Sequence, residues 1–139
     1  MCSGNGSNFE NIHHACPKHD IVIMVYNKKK AKAKRRADRL DIPSCYSKDE
    51  DEIIALFNAY NVDLIILAGW MRIVYKKFCD EFAGRIINLH PSLLPKYKGL
   101  HAVEQALKAG EDETGCTVHF VNEYLDAGAI IKQQVVPIL

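Results

Sequence analysis

The chain has 139 residues and a mass of 15.7 kDa, a length that fits one domain and hardly two. Hydrophobic residues make up 48% and charged residues 25%, which excludes wholesale disorder. The 18 basic side chains balance 17 acidic ones, which argues against a general nucleic-acid-binding or membrane-binding role. The start is polar, no apolar run approaches the roughly 20 residues of a membrane span, and the cysteines are widely spaced. We therefore expect a cytoplasmic protein without a disulfide framework or a metal.

Five short runs rich in β-branched residues predict strands buried on both faces. They cover residues 20–26, 62–69, 85–90, 115–121 and 129–136. Helices are predicted over residues 7–16, 30–40, 75–82 and 101–109. A further helix is predicted from a capping box, in which Ser47 accepts from a first-turn N–H and Glu50 reaches back. The alternation predicts a single α/β domain over residues 1–139, with a Rossmann-like, mostly parallel sheet flanked by helices.

The segment 28–36 holds seven basic side chains in nine positions, a density that would suit a nucleic-acid partner. The alternative is a solvated helix face whose charge is balanced by acidic residues elsewhere. The near-zero net charge favours the solvated face, so neither a nucleic-acid nor a membrane partner is expected.

The segment 3–8, Ser-Gly-Asn-Gly-Ser-Asn, places two glycines before a predicted helix. Glycine lets the backbone approach an anion closely, and the N–H groups of a helix N-terminus favour a phosphate. Gly6, Ser7 and Asn8 are therefore candidate phosphate-binding residues, with a plain turn and helix cap as the alternative. The pattern matches neither the dinucleotide fingerprint nor the Walker loop, so a nucleotide triphosphate is not indicated.

The segment 67–74, Leu-Ala-Gly-Trp-Met-Arg-Ile-Val, follows a buried strand, where ligands of parallel sheets dock. Trp70 and Met71 offer apolar area, and backbone groups past the strand end are free to bond a flat heteroaromatic ring. The alternative is that both side chains belong to the core.

Asn88 and His90 are two residues apart in a predicted strand, so their side chains point to one face at its carboxyl end. An amide donor and an imidazole there suit a developing oxyanion. Asp126 lies in the turn between the last two strands, and its approach to His90 would favour the imidazolium. The alternatives are a satisfied core histidine and a plain Asp-Ala-Gly turn.

Together these stretches resemble the phosphoribosylglycinamide formyltransferase family of purine biosynthesis, in that family's order and over essentially the whole chain. The segment 88–95, Asn-Leu-His-Pro-Ser-Leu-Leu-Pro, is highly specific to folate-dependent formyltransferases. Methionyl-tRNA formyltransferases share its Ser-Leu-Leu-Pro loop but usually continue with Arg-Gly-Ala-Ala-Pro, whereas residues 98–101 here are Lys-Gly-Leu-His. Formyltetrahydrofolate deformylases share the Asn, His and Asp trio but match the opening at residues 3–8 only in part.

The resemblance implies a small-molecule reaction without a metal: a formyl group passes from the co-substrate 10-formyltetrahydrofolate to the amine of 5-phosphoribosylglycinamide. The catalytic residues it implies are Asn88, His90 and Asp126. The residues implied for the substrate phosphate are Gly6, Ser7 and Asn8. Those implied for folate are Met71, Arg72, Ile73 and Val74, with Lys48 in place of a folate-tail arginine. It also implies a cis bond before Pro95 and a hydroxyl at Thr117 that orients the acidic loop.

Two alternatives stay open beside this reading. One is a related folate-dependent formyltransferase or a formyl-folate hydrolase, and the other is an inactive folate-binding fragment. The family has a central strand before the phosphate loop and helices beyond the position of Leu139. We therefore expect a chain truncated at both ends or mis-started, lacking the first strand and the C-terminal helices, and marginal in stability.

Overall fold

The computed structural model describes residues 1–139, which form two compact units, Met1–Arg72 and Ile73–Leu139. The helices are α1 (Ser7–Ala15), α2 (Ala33–Arg39), α3 (Glu50–Ala59), α4 (Lys76–Glu81) and α5 (Ala102–Lys108). The strands are β1 (Met24–Tyr26), β2 (Ser44–Tyr46), β3 (Ile65–Leu67), β4 (Ile86–His90), β5 (Glu113–Phe120) and β6 (Ile130–Pro137). None of the helices is long and apolar enough to cross a membrane.

The first unit is built around parallel strands. β1 and β2 pair in parallel, with Met24 opposite Ser44. The first residues of the chain hydrogen-bond on both sides: Cys2 N–H donates to Val25 O of β1 at 2.9 Å, and the Met1 amine donates to Ile66 O of β3 at 2.8 Å. Residues 1–3, for which the sequence predicts no strand, thus lie between β1 and β3.

Small side chains bring α2 close to the start of the chain. Ala33 and Ala37 are fully buried in the same apolar cluster as Cys2, Phe9 and Met24. Four lysines of the 28–36 segment precede α2, and all four are exposed: Lys28, Lys29, Lys30 and Lys32. These lysines are solvated, as expected, but they lie before the helix and do not form a helix face.

The second unit is antiparallel, which departs from the parallel arrangement expected from the sequence. β4 pairs with β5 and β5 pairs with β6, both antiparallel. Residues 121–129 join β5 to β6 without a helix. A parallel pair needs a crossover of about a dozen residues or more, so this short connection permits only the antiparallel pairing.

The predicted capping box at Ser47 was wrong. α3 begins at Glu50, and its N-cap is Asp49, whose Oδ1 accepts from Asp51 N at 2.9 Å and Glu52 N at 3.4 Å. A carboxylate is a stronger acceptor than a hydroxyl and also complements the positive end of the helix dipole. Ser47 instead accepts from Asp49 N at 3.2 Å, which fixes the turn before the helix.

Candidate active site

One face of the second unit's sheet collects polar side chains. In the β4–β5 register Asn88 lies opposite His119, and His90 lies opposite Thr117. Side chains opposite each other in a ladder share a face, and so do residues two apart in a strand. The antiparallel pairing therefore places two histidines, an amide and a hydroxyl on one surface.

Asp126 joins the two histidines from the loop between β5 and β6. Its Oδ2 lies 3.5 Å from His90 Nδ1, and its Oδ1 lies 3.5 Å from His119 Nε2. Its Oδ2 also accepts from Gly99 N–H at 2.8 Å. The exposed fraction of the side chain is 5% for His90, 2% for His119 and 6% for Asp126. The structure thus brings His90 and Asp126, both predicted from the sequence, into one buried cluster with His119. The half-buried Asn88, also predicted, joins the cluster through its Nδ2, which lies 3.3 Å from His119 Nε2.

The cluster shifts the pKa values of two of its members. The hydrogen bond to Asp126 raises the pKa of His119 above its usual value, against the opposing effect of burial, with further help from Phe120 O. For Asp126 burial is the largest effect and raises the pKa. The hydrogen bonds from His119 and Gly99 N–H, together with the charges of both histidines, outweigh burial and hold the pKa of Asp126 below its usual range. These shifts favour an imidazolium at His119 beside a carboxylate at Asp126.

His90 faces a protein acceptor at each ring nitrogen. Its Nε2–H donates to Tyr97 O at 2.7 Å, while Nδ1 faces the Asp126 carboxylate across 3.5 Å. The residue is 4% exposed. The longer contact is the weaker one, so Nδ1 is the nitrogen that can turn to a ligand at the lower cost.

Thr117 holds the proline loop rather than the acidic loop. Its Oγ1 donates to Ser92 O at 2.7 Å and accepts from Leu94 N–H at 3.1 Å. Gln133 of β6 donates to the same Oγ1 at 3.0 Å and to Leu94 O at 2.8 Å. The role expected for Thr117, orienting the loop of Asp126, is therefore corrected. The Leu94–Pro95 bond that Thr117 flanks is cis, as expected.

The glycine-rich loop of the first unit leads directly into α1. Gly6 is the N-cap, with φ of +78° and no side-chain cap, so neither Ser7 nor Asn8 caps the helix. Both side chains are exposed at the first turn. The N–H groups of a first turn have no partner within the helix, so Gly6, Ser7 and Asn8 present free donors to an anion.

The residues expected at folate lie in irregular backbone. Met71 and Arg72 end the first unit, and both are exposed. Met71 N–H donates to the buried Ser3 Oγ at 2.7 Å, which ties this segment to the glycine-rich loop. Ile73 is 60% exposed at the start of the second unit, where Val74 is buried. Lys48 is exposed between β2 and α3.

A family model for formyl transferase matches residues 1–139. The chain belongs to the formyl transferase family. It is 43% identical over 151 aligned positions to the phosphoribosylglycinamide formyltransferase of Haemophilus influenzae, which covers 99% of this chain and 71% of that protein. It is also 44% identical to the trifunctional purine biosynthetic protein adenosine-3 of Drosophila melanogaster, of which it spans 11%.

A solved structure supports the same family. The crystal structure of phosphoribosylglycinamide formyltransferase from Anaplasma phagocytophilum matches this formyl transferase with a TM-score of 0.96 at 41% identity. The match covers 99% of this chain and 70% of the other. The α/β class and the resemblance to the phosphoribosylglycinamide formyltransferases are thereby confirmed.

Sequence reasoning missed three residues of this formyl transferase that support its polar sites. They are His119 beside Asp126, Gln133 beside the proline loop and Ser3 beside Met71. His119 had a visible signal, because it alternates with Thr117 in a predicted strand and so shares that residue's face. No group of three or more histidine, cysteine, aspartate or glutamate side chains is arranged to hold a metal ion. That the reaction needs no metal stays a prediction.

Proposed function

We propose that this formyl transferase moves the formyl group of 10-formyltetrahydrofolate to the amine of 5-phosphoribosylglycinamide in purine biosynthesis. Two observations carry the proposal. The half-buried Asn88 joins the buried side chains of His90, His119 and Asp126 in one cluster, and the chain is 43% identical to a phosphoribosylglycinamide formyltransferase. The partners in this proposal are the two small-molecule substrates, and formyl folate is a co-substrate consumed in each turnover.

The chemistry is acyl transfer through a tetrahedral intermediate. The substrate amine attacks the formyl carbon, a C–N bond forms, and the formyl oxygen becomes an oxyanion. When the oxyanion collapses, the bond from the formyl carbon to the folate nitrogen breaks. The amine loses one proton and the leaving folate nitrogen gains one, so the reaction is balanced without an oxidant or a reductant.

The proposed roles follow from the donors in the cluster. Asn88 Nδ2–H donates to the oxyanion when it turns from His119 Nε2, from which it lies 3.3 Å away. His90 keeps its short bond to Tyr97 O and exchanges its 3.5 Å contact with Asp126 for the oxyanion. Asp126, also held by Gly99 N–H, orients the His90 ring before this exchange and relays protons through water.

The binding roles follow from the first unit and the segment after it. Gly6, Ser7 and Asn8 hold the substrate phosphate with free backbone donors, and Ser7 and Asn8 add exposed side chains. Met71 to Val74 bind the pteridine through backbone atoms, since the segment is irregular and largely exposed. We assign Lys48 to the folate tail on its exposed charge alone.

We further propose that residues 1–139 form one formyl transferase domain, because the family model spans both compact units. Five free cysteines suit a reducing compartment, which supports a cytoplasmic enzyme. The exposed lysines of the 28–36 segment are compatible with a solvated surface. That the protein has no nucleic-acid or membrane partner stays a prediction.

Formyl transfer to glycinamide ribonucleotide, followed by folate absorbance, tests the function. The assay uses the 139-residue chain and a chimera in which these residues replace the matched segment of the Haemophilus influenzae relative. We expect the chimera to turn over and the same chimera with His90→Ala to lose most of its rate. A folded chimera that transfers no formyl group would overturn the proposal.

A further inference from the structure

The side chain of Arg36, in the basic 28–36 segment, bonds to the glycine-rich loop. Its Nε donates to Asn5 O at 2.8 Å, and its Nη2 donates to Asn5 Oδ1 at 3.2 Å. Its Nη1 pairs with the Glu10 carboxylate in the first turn of α1. The guanidinium therefore joins the loop before α1 to α1 itself.

Arg36 acts together with close packing between the loop and α2. Gly6 has φ of +78°, and a Cβ there would lie 2.8 Å from Ala33 Cα and 3.3 Å from Arg36 Cδ. Ala33 N–H donates to Gly4 O at 3.1 Å. The loop thus packs against the start of α2. The backbone bond from Ala33 holds Gly4, and the Arg36 side chain holds Asn5.

Glu10 in turn fixes the orientation of the guanidinium. Arg36 and Arg39 bond to different oxygens of its carboxylate, and its side chain is 15% exposed. A planar guanidinium can serve three acceptors at once in fixed directions, whereas the ammonium of lysine is a single flexible point of charge. The contacts of Arg36 therefore need arginine and not merely a positive charge.

We propose that Arg36 is a positioning residue for the substrate phosphate. By holding both the carbonyl and the side chain of Asn5, it sets the turn from which the N–H groups of Gly6, Ser7 and Asn8 face the anion. This inference rests on the proposed function for the identity of the substrate. It extends the phosphate site from residues 6–8 to a residue on the next helix.

The first test measures steady-state kinetics in the chimera carrying R36K or R36Q. In these variants the N–H groups of residues 6–8 are displaced, which weakens their binding of the substrate phosphate. We therefore expect the KM for glycinamide ribonucleotide to rise about tenfold or more. The KM for formyl folate and kcat are expected to stay within about twofold, because the Arg36 side chain bonds to Asn5 and Glu10 and not to the residues assigned to folate or to catalysis. Asn5→Ala, which removes one acceptor of Arg36, reaches the same link from the loop and is expected to raise the same KM less.

Two neighbours on α2 provide matched controls. R35Q removes the same charge from an exposed position, and R39Q removes only the second contact to Glu10. We expect R35Q to leave the KM for glycinamide ribonucleotide unchanged and R39Q to move it less than R36K. If R35Q raised the KM for glycinamide ribonucleotide as much as R36Q, Arg36 would act only through its positive charge, and the proposal would be overturned. Unchanged kinetics in both Arg36 variants, or a parallel rise in both KM values, would overturn it too.

A second test separates this proposal from the proposed function. Inorganic phosphate is titrated into the 15N-labelled chain while amide shifts are followed. We expect shifts at Gly6, Ser7 and Asn8, with an affinity about tenfold weaker in R36K and unaltered in R35Q. If the chimera does not transfer formyl groups while the labelled chain shows these phosphate shifts, the proposed function is overturned and the role of Arg36 is supported. The absence of phosphate shifts at these amides in the unmodified chain would overturn the role of Arg36.

Discussion

The amide nitrogen of Asn88 lies 3.3 Å from Nε2 of His119, directly across the β4–β5 ladder. The same Nε2 lies 3.5 Å from Asp126 Oδ1, so one ring nitrogen serves two neighbours. A neutral Nε2 accepts from the Asn88 amide, whereas a protonated Nε2 donates to the carboxylate. The protonation state of His119 therefore decides whether the Asn88 donor is occupied or free for a substrate.

The contact between His119 and Asp126 predicts a pH-dependent contribution to stability. The pKa of His119 is raised from 6.5, so its contribution is complete below 6.5 and is lost as the pH rises through the folded-state value. The pKa of Asp126 is lowered from 3.8, so its contribution is complete above 3.8 and is lost at lower pH. We expect His119→Gln to cost most free energy of unfolding between these two values and less at alkaline pH, measured by urea denaturation.

His14→Gln is the control for that series, because the His14 side chain is 61% exposed and lies outside the cluster. We expect its cost to be small at every pH. A His119→Gln cost that stayed constant from pH 5 to pH 9 would show that the histidine contributes packing alone.

The two β4 side chains are expected to contribute to rate rather than to substrate affinity. His90→Ala and Asn88→Ala should each lower kcat by about 10²–10⁴-fold, the range typical of a positioned acid, base or oxyanion donor. The KM values should change little, because the oxyanion forms only after both substrates have bound. His19→Ala, an exposed histidine before β1, is the matched control. Turnover within a few-fold of the unmodified enzyme would remove either residue from the mechanism.

How much of this site the sequence predicts depends on the range of the contacts. The shared face of Asn88 and His90 follows from a spacing of two in one strand, which is local and readable. The position of His119 depends on the register of β5 against β4, a pairing between residues 31 positions apart. The sequence alone does not predict that register, since alternation within a strand predicts which side chains share a face but not which residue of the neighbouring strand lies opposite.

Element ends were less readable than element types. α2 begins at Ala33, although the helix pattern extends back to residue 30, because tertiary contacts of Ala33 with the glycine-rich loop set its start. β2 spans only Ser44–Tyr46 and was missed, since three residues carry no periodicity. Asp49 displaced Ser47 as a cap because two acceptors competed for the same first-turn donors.

The two glycines of the glycine-rich loop are expected to respond differently to alanine. Gly6→Ala places a Cβ 2.8 Å from Ala33 at a positive φ, so the turn must shift. A Cβ at Gly4 would meet nothing within 4 Å, which makes Gly4→Ala the matched control. We expect Gly6→Ala to raise the KM for glycinamide ribonucleotide at least tenfold and Gly4→Ala to raise it less than twofold.

The KM for formyl folate is the internal reference for both glycine variants, since it reports distortion of the site beyond the glycine-rich loop, whereas loss of folded enzyme lowers the apparent kcat. An equal rise in both KM values for Gly6→Ala would mean general damage rather than a phosphate site. Thermal unfolding of both variants is measured in parallel. Equal substrate KM values in Gly6→Ala and Gly4→Ala would contradict the assignment of the anion to this turn.

Two threonines on β5 test whether the proline loop is held by hydrogen bonds. Thr117 Oγ1 bonds to Ser92 O, Leu94 N and Gln133 Nε2, whereas the buried Thr114 Oγ1 has no hydrogen-bond partner. Valine keeps the shape and removes the hydroxyl. Thr117→Val leaves a buried carbonyl and a buried N–H unpaired, so we expect a loss of about 1–3 kcal/mol in the free energy of unfolding.

Thr114→Val removes a hydroxyl that was already unpaired, so we expect it to be neutral or slightly stabilising in the same urea denaturation experiment. The contrast matters for function because the loop held by Thr117 carries Tyr97, whose carbonyl accepts from His90 at 2.7 Å. Thr117→Val should therefore lower kcat as well, and Thr114→Val should not. Equal losses in the free energy of unfolding for the two variants would mean that packing around the valine determines the loss. The hydroxyl of Thr117 would then not hold the loop.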